Sequence, residues 1–94
     1  MKPSKSELKK LTLSVRSRAR VIYEGQVLSV SSVNAVGKFD VLGLHANFIS
    51  LIDNNLIVKE LNGSEKVIPI DMGVMRVNRN KVEVYIGLKS LLFS

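Results

Sequence analysis

His45 is the only histidine among 94 residues, and the chain contains no cysteine. One imidazole excludes a two-histidine catalytic pair and a histidine-rich metal centre, and the missing thiols exclude disulfides and cysteine zinc sites. The carboxylates Asp40, Asp53, Asp71 and Glu83 are scattered, and none of their spacings suits a paired general acid and base. Serine is plentiful, yet no nucleophile elbow surrounds any of it. No Gly-Lys-Ser/Thr follows a glycine-rich turn, so there is no phosphate loop. The sequence therefore predicts no enzyme, no metal and no cofactor. What remains is charge. Fourteen Lys and Arg face eight Asp and Glu, a formal net charge of +6. Much of the excess lies early, in Lys2, Lys5, Lys9, Lys10, Arg16, Arg18 and Arg20. Such a strip can bind phosphate backbones or anionic lipid. Aromatic residues make up only 5% of the chain and do not interleave with these charges, so stacking platforms for bases are missing. The plainer reading is a solvated arm and one solvated strand face.

The elements that position these residues read as strands. Leu11, Leu13 and Val15 alternate with Thr12, Ser14 and Arg16, a period of two. Val21 to Glu24 resumes the pattern, Gly25 suits a turn or bulge, and Gln26 to Ser32 continues it. Asn34-Ala35-Val36-Gly37 reads as a loop, Phe39 to Leu42 as a short strand and Asn47 to Ile52 as another. Asp53-Asn54-Asn55 is a turn signal. Asn62-Gly63-Ser64 and Asn78-Arg79-Asn80-Lys81 read as hairpin loops between Leu56–Leu61 and Lys66–Asp71, and between Val74–Val77 and Val82–Ile86. Pro69 belongs on an edge or at an unpaired position. This pattern predicts one all-β domain, a flattened sandwich of short, mostly antiparallel strands. Its expected core holds Leu13, Val15, Val27, Val30, Leu42, Ile57, Val67, Val77 and Val84, with the caution that a slip of one residue inverts a face. Residues 1–10 form a basic arm, 11–87 the sandwich and 88–94 an apolar tail. No apolar run reaches the roughly 18 residues that span a bilayer, and no signal-peptide core follows the basic start.

Three segments in order resemble a known family. Val21-Ile22-Tyr23-Glu24-Gly25-Gln26-Val27-Leu28-Ser29-Val30 is similar to a Val-Val-Phe-x-Gly-x-Val-x-x-Val pattern. Gly37-Lys38-Phe39-Asp40-Val41-Leu42-Gly43-Leu44-His45-Ala46 is similar to Gly-x-Phe-x-Val-Leu-Pro-Gly-His-Ala, and Phe48-Ile49-Ser50-Leu51-Ile52 follows it. Gly73-Val74-Met75-Arg76-Val77-Asn78-Arg79-Asn80-Lys81-Val82-Glu83-Val84 is similar to Gly-x-Leu-x-Val-x-x-Asn-x-Val-x-Val. Together they resemble the N-terminal β-sandwich domain of the epsilon subunit of rotary ATP synthases, delta in mitochondria, from about Leu11 to Ile86. The chain departs from the pattern at Gly43-Leu44, where the family has Pro-Gly, and at Met72, where a second glycine is common. It departs also at Lys38, where many members carry a carboxylate.

The resemblance implies a non-catalytic central-stalk subunit between the gamma stalk and the membrane rotor ring. It implies gamma and ring subunits as partners, no membrane insertion, and a peripheral place on the cytoplasmic face of an inner or plasma membrane. Lys38, Phe39, Asp40 and His45 are the candidate ring contacts, and Leu28 the candidate gamma contact. The family's C-terminal helical hairpin has no counterpart in these 94 residues, so its braking and nucleotide binding are not expected. The alternative is a free-standing basic β-module for nucleic acid or an anionic surface, resting on the arm and Arg16, Arg18 and Arg20.

Overall fold

The computed structural model describes residues 10–42 and 47–87. The basic arm, the Gly43-Leu44-His45-Ala46 segment and the apolar tail expected at Leu88–Phe93 lie outside the described residues. Six strands follow one another: β1 (Leu11–Arg16), β2 (Val21–Asn34), β3 (Gly37–Leu42), β4 (Phe48–Glu60), β5 (Glu65–Asn78) and β6 (Lys81–Ile86). No helix occurs among the described residues. The order is β1-β6-β5-β4-β2-β3, and β1 also pairs with β2, so five strands close on themselves and β3 extends from β2. β1 and β6 run parallel, and every other pair is antiparallel. The all-β sandwich expectation holds, and the molecule is flattened, 53 × 26 × 19 Å.

Three strands are longer than the turn signals predicted, because each serves both layers. β2 pairs with β1 through Val27 and with β3 from Ser29, with an irregularity between the two. Its first half does not turn at Gly25, which sits in register opposite Leu13. Asp53-Asn54-Asn55 is a bulge within β4 rather than a turn: Asn54 takes a φ of 72°, and its N–H donates to Asp53 Oδ1 at 2.8 Å. Asn and Asp signal both structures through the same short side-chain acceptor and tolerance of positive φ, so the residues alone did not separate them. β5 likewise runs unbroken from Glu65 to Asn78, where two strands were expected. Pro69 lies opposite Asn55, at the β4 bulge, where a missing N–H costs the ladder least. Strands that pass from one layer to the other at bulges are how sandwiches turn corners.

One core fills the space between the layers. Leu11, Leu13, Val15, Val27, Val30, Met75, Val77, Val82 and Val84 are buried, as expected for six of them. Leu42, Ile57 and Val67 instead face outward, and Val41, Leu56, Val58 and Ile68 take the buried places. Register decides this. Val30 lies opposite Val41 on one side and Val58 on the other, and directly opposed residues share a face. β5 also changes parity at Asp71–Met72: Ile68 and Ile70 are buried before it, Gly73, Met75 and Val77 after it. A single alternation carried through Val67 and Val77 therefore cannot be right at both ends. Gly73 is required by packing: a Cβ there would lie 2.9 Å from the Tyr85 carbonyl oxygen.

Candidate interaction surfaces

The β2–β3 hairpin is built by Asn34. Its Oδ1 accepts the N–H groups of Val36 at 3.0 Å and Gly37 at 3.2 Å, and its Nδ2 donates to Ser50 Oγ on β4 at 3.2 Å. Gly37 closes the turn at φ 141°, a conformation L side chains rarely adopt. The tip holds Val36 almost wholly in solvent, at 96% exposure. Beyond it β3 alternates. Lys38, Asp40 and Leu42 are exposed, and Phe39 and Val41 turn inward. Phe39 meets Phe48 of β4 edge to face, ring centroids 6.2 Å apart, and closes the open side of the sandwich. Of the four candidate ring contacts, the structure thus brings Lys38 and Asp40 together on one outer face and turns Phe39 away from them. His45 lies outside the described residues.

Asp40 also receives the Ser31 hydroxyl at 2.5 Å. Lys38 and Asp40 border an open trough of about 530 Å³ whose floor includes Ser31, Ile57 and Lys59. Among the described residues no group of His, Asp or Glu could hold a metal ion. The trough offers the charges of Lys38, Asp40 and Lys59 beside the apolar Leu42 and Ile57.

A second surface lies on the other layer. Ile49 and Leu51 are 70% and 67% exposed on the first half of β4. Leu51 stands opposite Val74, and Val74 opposite Tyr85, giving an apolar row across three strands. Leu28, the candidate gamma contact, is only half-buried and sits at the irregularity of β2. The sequence reading missed Ile49, Leu51 and Tyr85 as surface residues. A signal was present: in Phe48-Ile49-Ser50-Leu51-Ile52 apolar residues occupy both parities, which marks a strand covered on both faces.

A third feature joins the layers. Tyr23 donates its hydroxyl to Glu60 Oε2 at 2.8 Å, and Lys66 Nζ lies 5.4 Å from the ring centroid. Burial, and then the hydrogen bond and charge of Glu60, push the Tyr23 hydroxyl above its usual pKa.

The family model of the ATP synthase delta/epsilon chain β-sandwich domain matches residues 10–87. The chain belongs to this family. It is 32% identical over 80 residues to the ATP synthase epsilon chain of Sulfurimonas denitrificans, covering 84% of this chain and 62% of the relative. To the epsilon chain of a Sulfurovum species it is 37% identical over 62 residues, covering 65% of this chain and 48% of the relative. The chain thus spans about half to three-fifths of the length of these relatives. Its fold resembles a chain in the mitochondrial ATP synthase of Euglena gracilis, with a TM-score of 0.77 at 19% identity, over 82% of this chain and 50% of that one. It also resembles a chain of the central stalk and ring of the Tetrahymena thermophila enzyme, with a TM-score of 0.67 at 10% identity, over 84% of this chain and 64% of that one. In this family's sandwich, the surfaces described above are the β2–β3 edge with its trough and the apolar first half of β4.

Proposed function

We propose that this chain is a non-catalytic central-stalk subunit of a rotary ATP synthase, joining the gamma subunit to the membrane rotor ring. The family match over residues 10–87 carries this reading. The named relatives are ATP synthase epsilon chains. The work is mechanical. A rotor part must pass torque without slipping, so it needs a broad apolar contact with a polar rim on one side and a docking edge on another. The row of exposed Ile49, Leu51 and Tyr85 with half-buried Val74 between them suits gamma, and Leu28, half-buried at the β2 irregularity, stands outside that row. The hairpin side, with Val36, Lys38 and Asp40, suits the ring, and His45 belongs to the same segment of the sequence. Lys38 is cationic and exposed, so the ring loop it meets should be acidic or should leave it solvated. Association with the membrane is peripheral and runs through the ring.

The basic-module alternative gains nothing from the fold. Arg16, Arg18 and Arg20 crowd the β1–β2 turn, but Tyr85 is the only highly exposed aromatic ring among the described residues, and its hydroxyl donates to Glu83. No stacking platform accompanies the arginines. The test is co-purification. A tagged chain expressed beside its own ATP synthase should bring down gamma and the ring subunits. A chain recovered without gamma from a solubilised, active enzyme overturns the proposal.

A further inference from the structure

β3 is an edge strand. Among the described residues it pairs only with β2. Its hairpin has a two-residue loop, which makes Asn34 and Gly37 a hydrogen-bonded pair. Pairs alternate between bonded and non-bonded along an antiparallel ladder. Phe39 and Val41 therefore bond to β2, and the backbone N–H and C=O groups of Lys38 and Asp40 point to the free edge. Such an edge is a template for another strand.

We infer that this edge pairs with the same edge of a second copy of the chain, antiparallel about a two-fold axis at Phe39. The occupant follows from parity and charge. A two-fold pairing must set outward-bonding residues opposite each other, so even-numbered residues of β3 meet even-numbered residues. Centring on Lys38 opposes two ammonium groups, and centring on Asp40 opposes two carboxylates. Centring on Phe39 opposes Lys38 to Asp40 twice, once on each side of the axis. Opposite charges directly across a pair stabilise it and like charges oppose it. The same register sets Val36, 96% exposed, opposite Leu42, 55% exposed, at both ends of the new ladder. An isologous contact of this kind closes at two copies. It covers Lys38 and Asp40, so it belongs to the unassembled chain and excludes docking through that edge.

Sedimentation equilibrium of the 94-residue chain tests this from micromolar to millimolar concentration. The chain should form a dimer, weakened by added salt. Lys38→Asp and Asp40→Lys each turn two attractive pairs into two repulsive ones, and each should weaken dimerisation by about tenfold or more. The double variant Lys38→Asp/Asp40→Lys restores opposition of unlike charges and should restore the dimer. A wild-type monomer throughout this range overturns the inference. So does a dimer that either single variant leaves unchanged, or one that the double variant fails to recover. Circular dichroism of each variant excludes unfolding as the cause. These outcomes leave the rotor reading untouched, because that reading is judged on gamma and ring binding.

Discussion

Replacing Gly73 by alanine inserts one methyl group where the sandwich has no room. The new Cβ would lie 2.9 Å from the Tyr85 carbonyl oxygen, 3.2 Å from Ile70 Cγ2 and 3.4 Å from Ile52 Cγ1. The side chains can turn a little, but the carbonyl is fixed in β6 by its ladder with β5. The strands must therefore separate near the Gly73–Ile86 pair, where β6 ends. Overpacking of this sort costs about 1–3 kcal/mol. For a domain of this size 1 kcal/mol moves the midpoint by about 4–8 °C, so Gly73→Ala should lower Tm by roughly 5–20 °C. Gly25→Ala is the matched control. A Cβ at Gly25 would meet no atom within 4 Å and its φ is ordinary, so reduced freedom of the unfolded chain should raise stability by about 0.4–1 kcal/mol. Thermal and urea unfolding, followed by circular dichroism, measure both. A Gly73→Ala protein as stable as wild type, or a Gly25→Ala protein less stable than Gly73→Ala, refutes this packing argument.

Three further outcomes are expected. Asn54, at φ 72°, should accept glycine with little change, whereas Asn54→Val should cost about 1–3 kcal/mol in urea unfolding because a β-branched side chain is strained there. Because its folded pKa is raised, Tyr23 contributes stability that is complete below the unfolded value of about 10 and is lost as pH rises through the folded value; Tyr23→Phe should flatten that alkaline loss in unfolding midpoints taken across pH. Leu51→Asp should leave stability within about 0.5 kcal/mol of wild type, since its side chain is 67% exposed, yet should weaken gamma binding at least about tenfold in a titration of the two purified subunits.

The fold was legible wherever one face of a strand is wet and the other dry. β1 shows this plainly, and Leu11, Leu13 and Val15 are all buried. Legibility failed where strands change layer. Asn54 bends β4 without ending it, and Ile57 is exposed at the same odd parity as Ile49 and Leu51. Asp71–Met72 inverts the parity of β5, so Val67 emerges on the outer face while Val77 is buried. Which parity a strand buries depends on the strand that lies opposite, which one sequence does not state. The site divided in the same way. The resemblance named Lys38, Phe39, Asp40 and His45 as one set, and the alternation of β3 divides it: Lys38 and Asp40 share the outer face, while Phe39 turns inward and meets Phe48. Leu28, the candidate gamma contact, sits at the β2 irregularity and is half-buried. The exposed pair Ile49 and Leu51 went unnoticed because an apolar run reads as core until its second face is counted.

Site-directed crosslinking in an assembled ATP synthase tests the central claim most directly. The chain has no cysteine of its own, so a single cysteine carrying a photo-crosslinker can be placed at Lys38 or at Leu51 without background. The account predicts that position 38 crosslinks to a ring subunit and position 51 to gamma, each identified by mass spectrometry. Position 51 joined to the ring, position 38 joined to gamma, or neither position joined to any rotor subunit would contradict it.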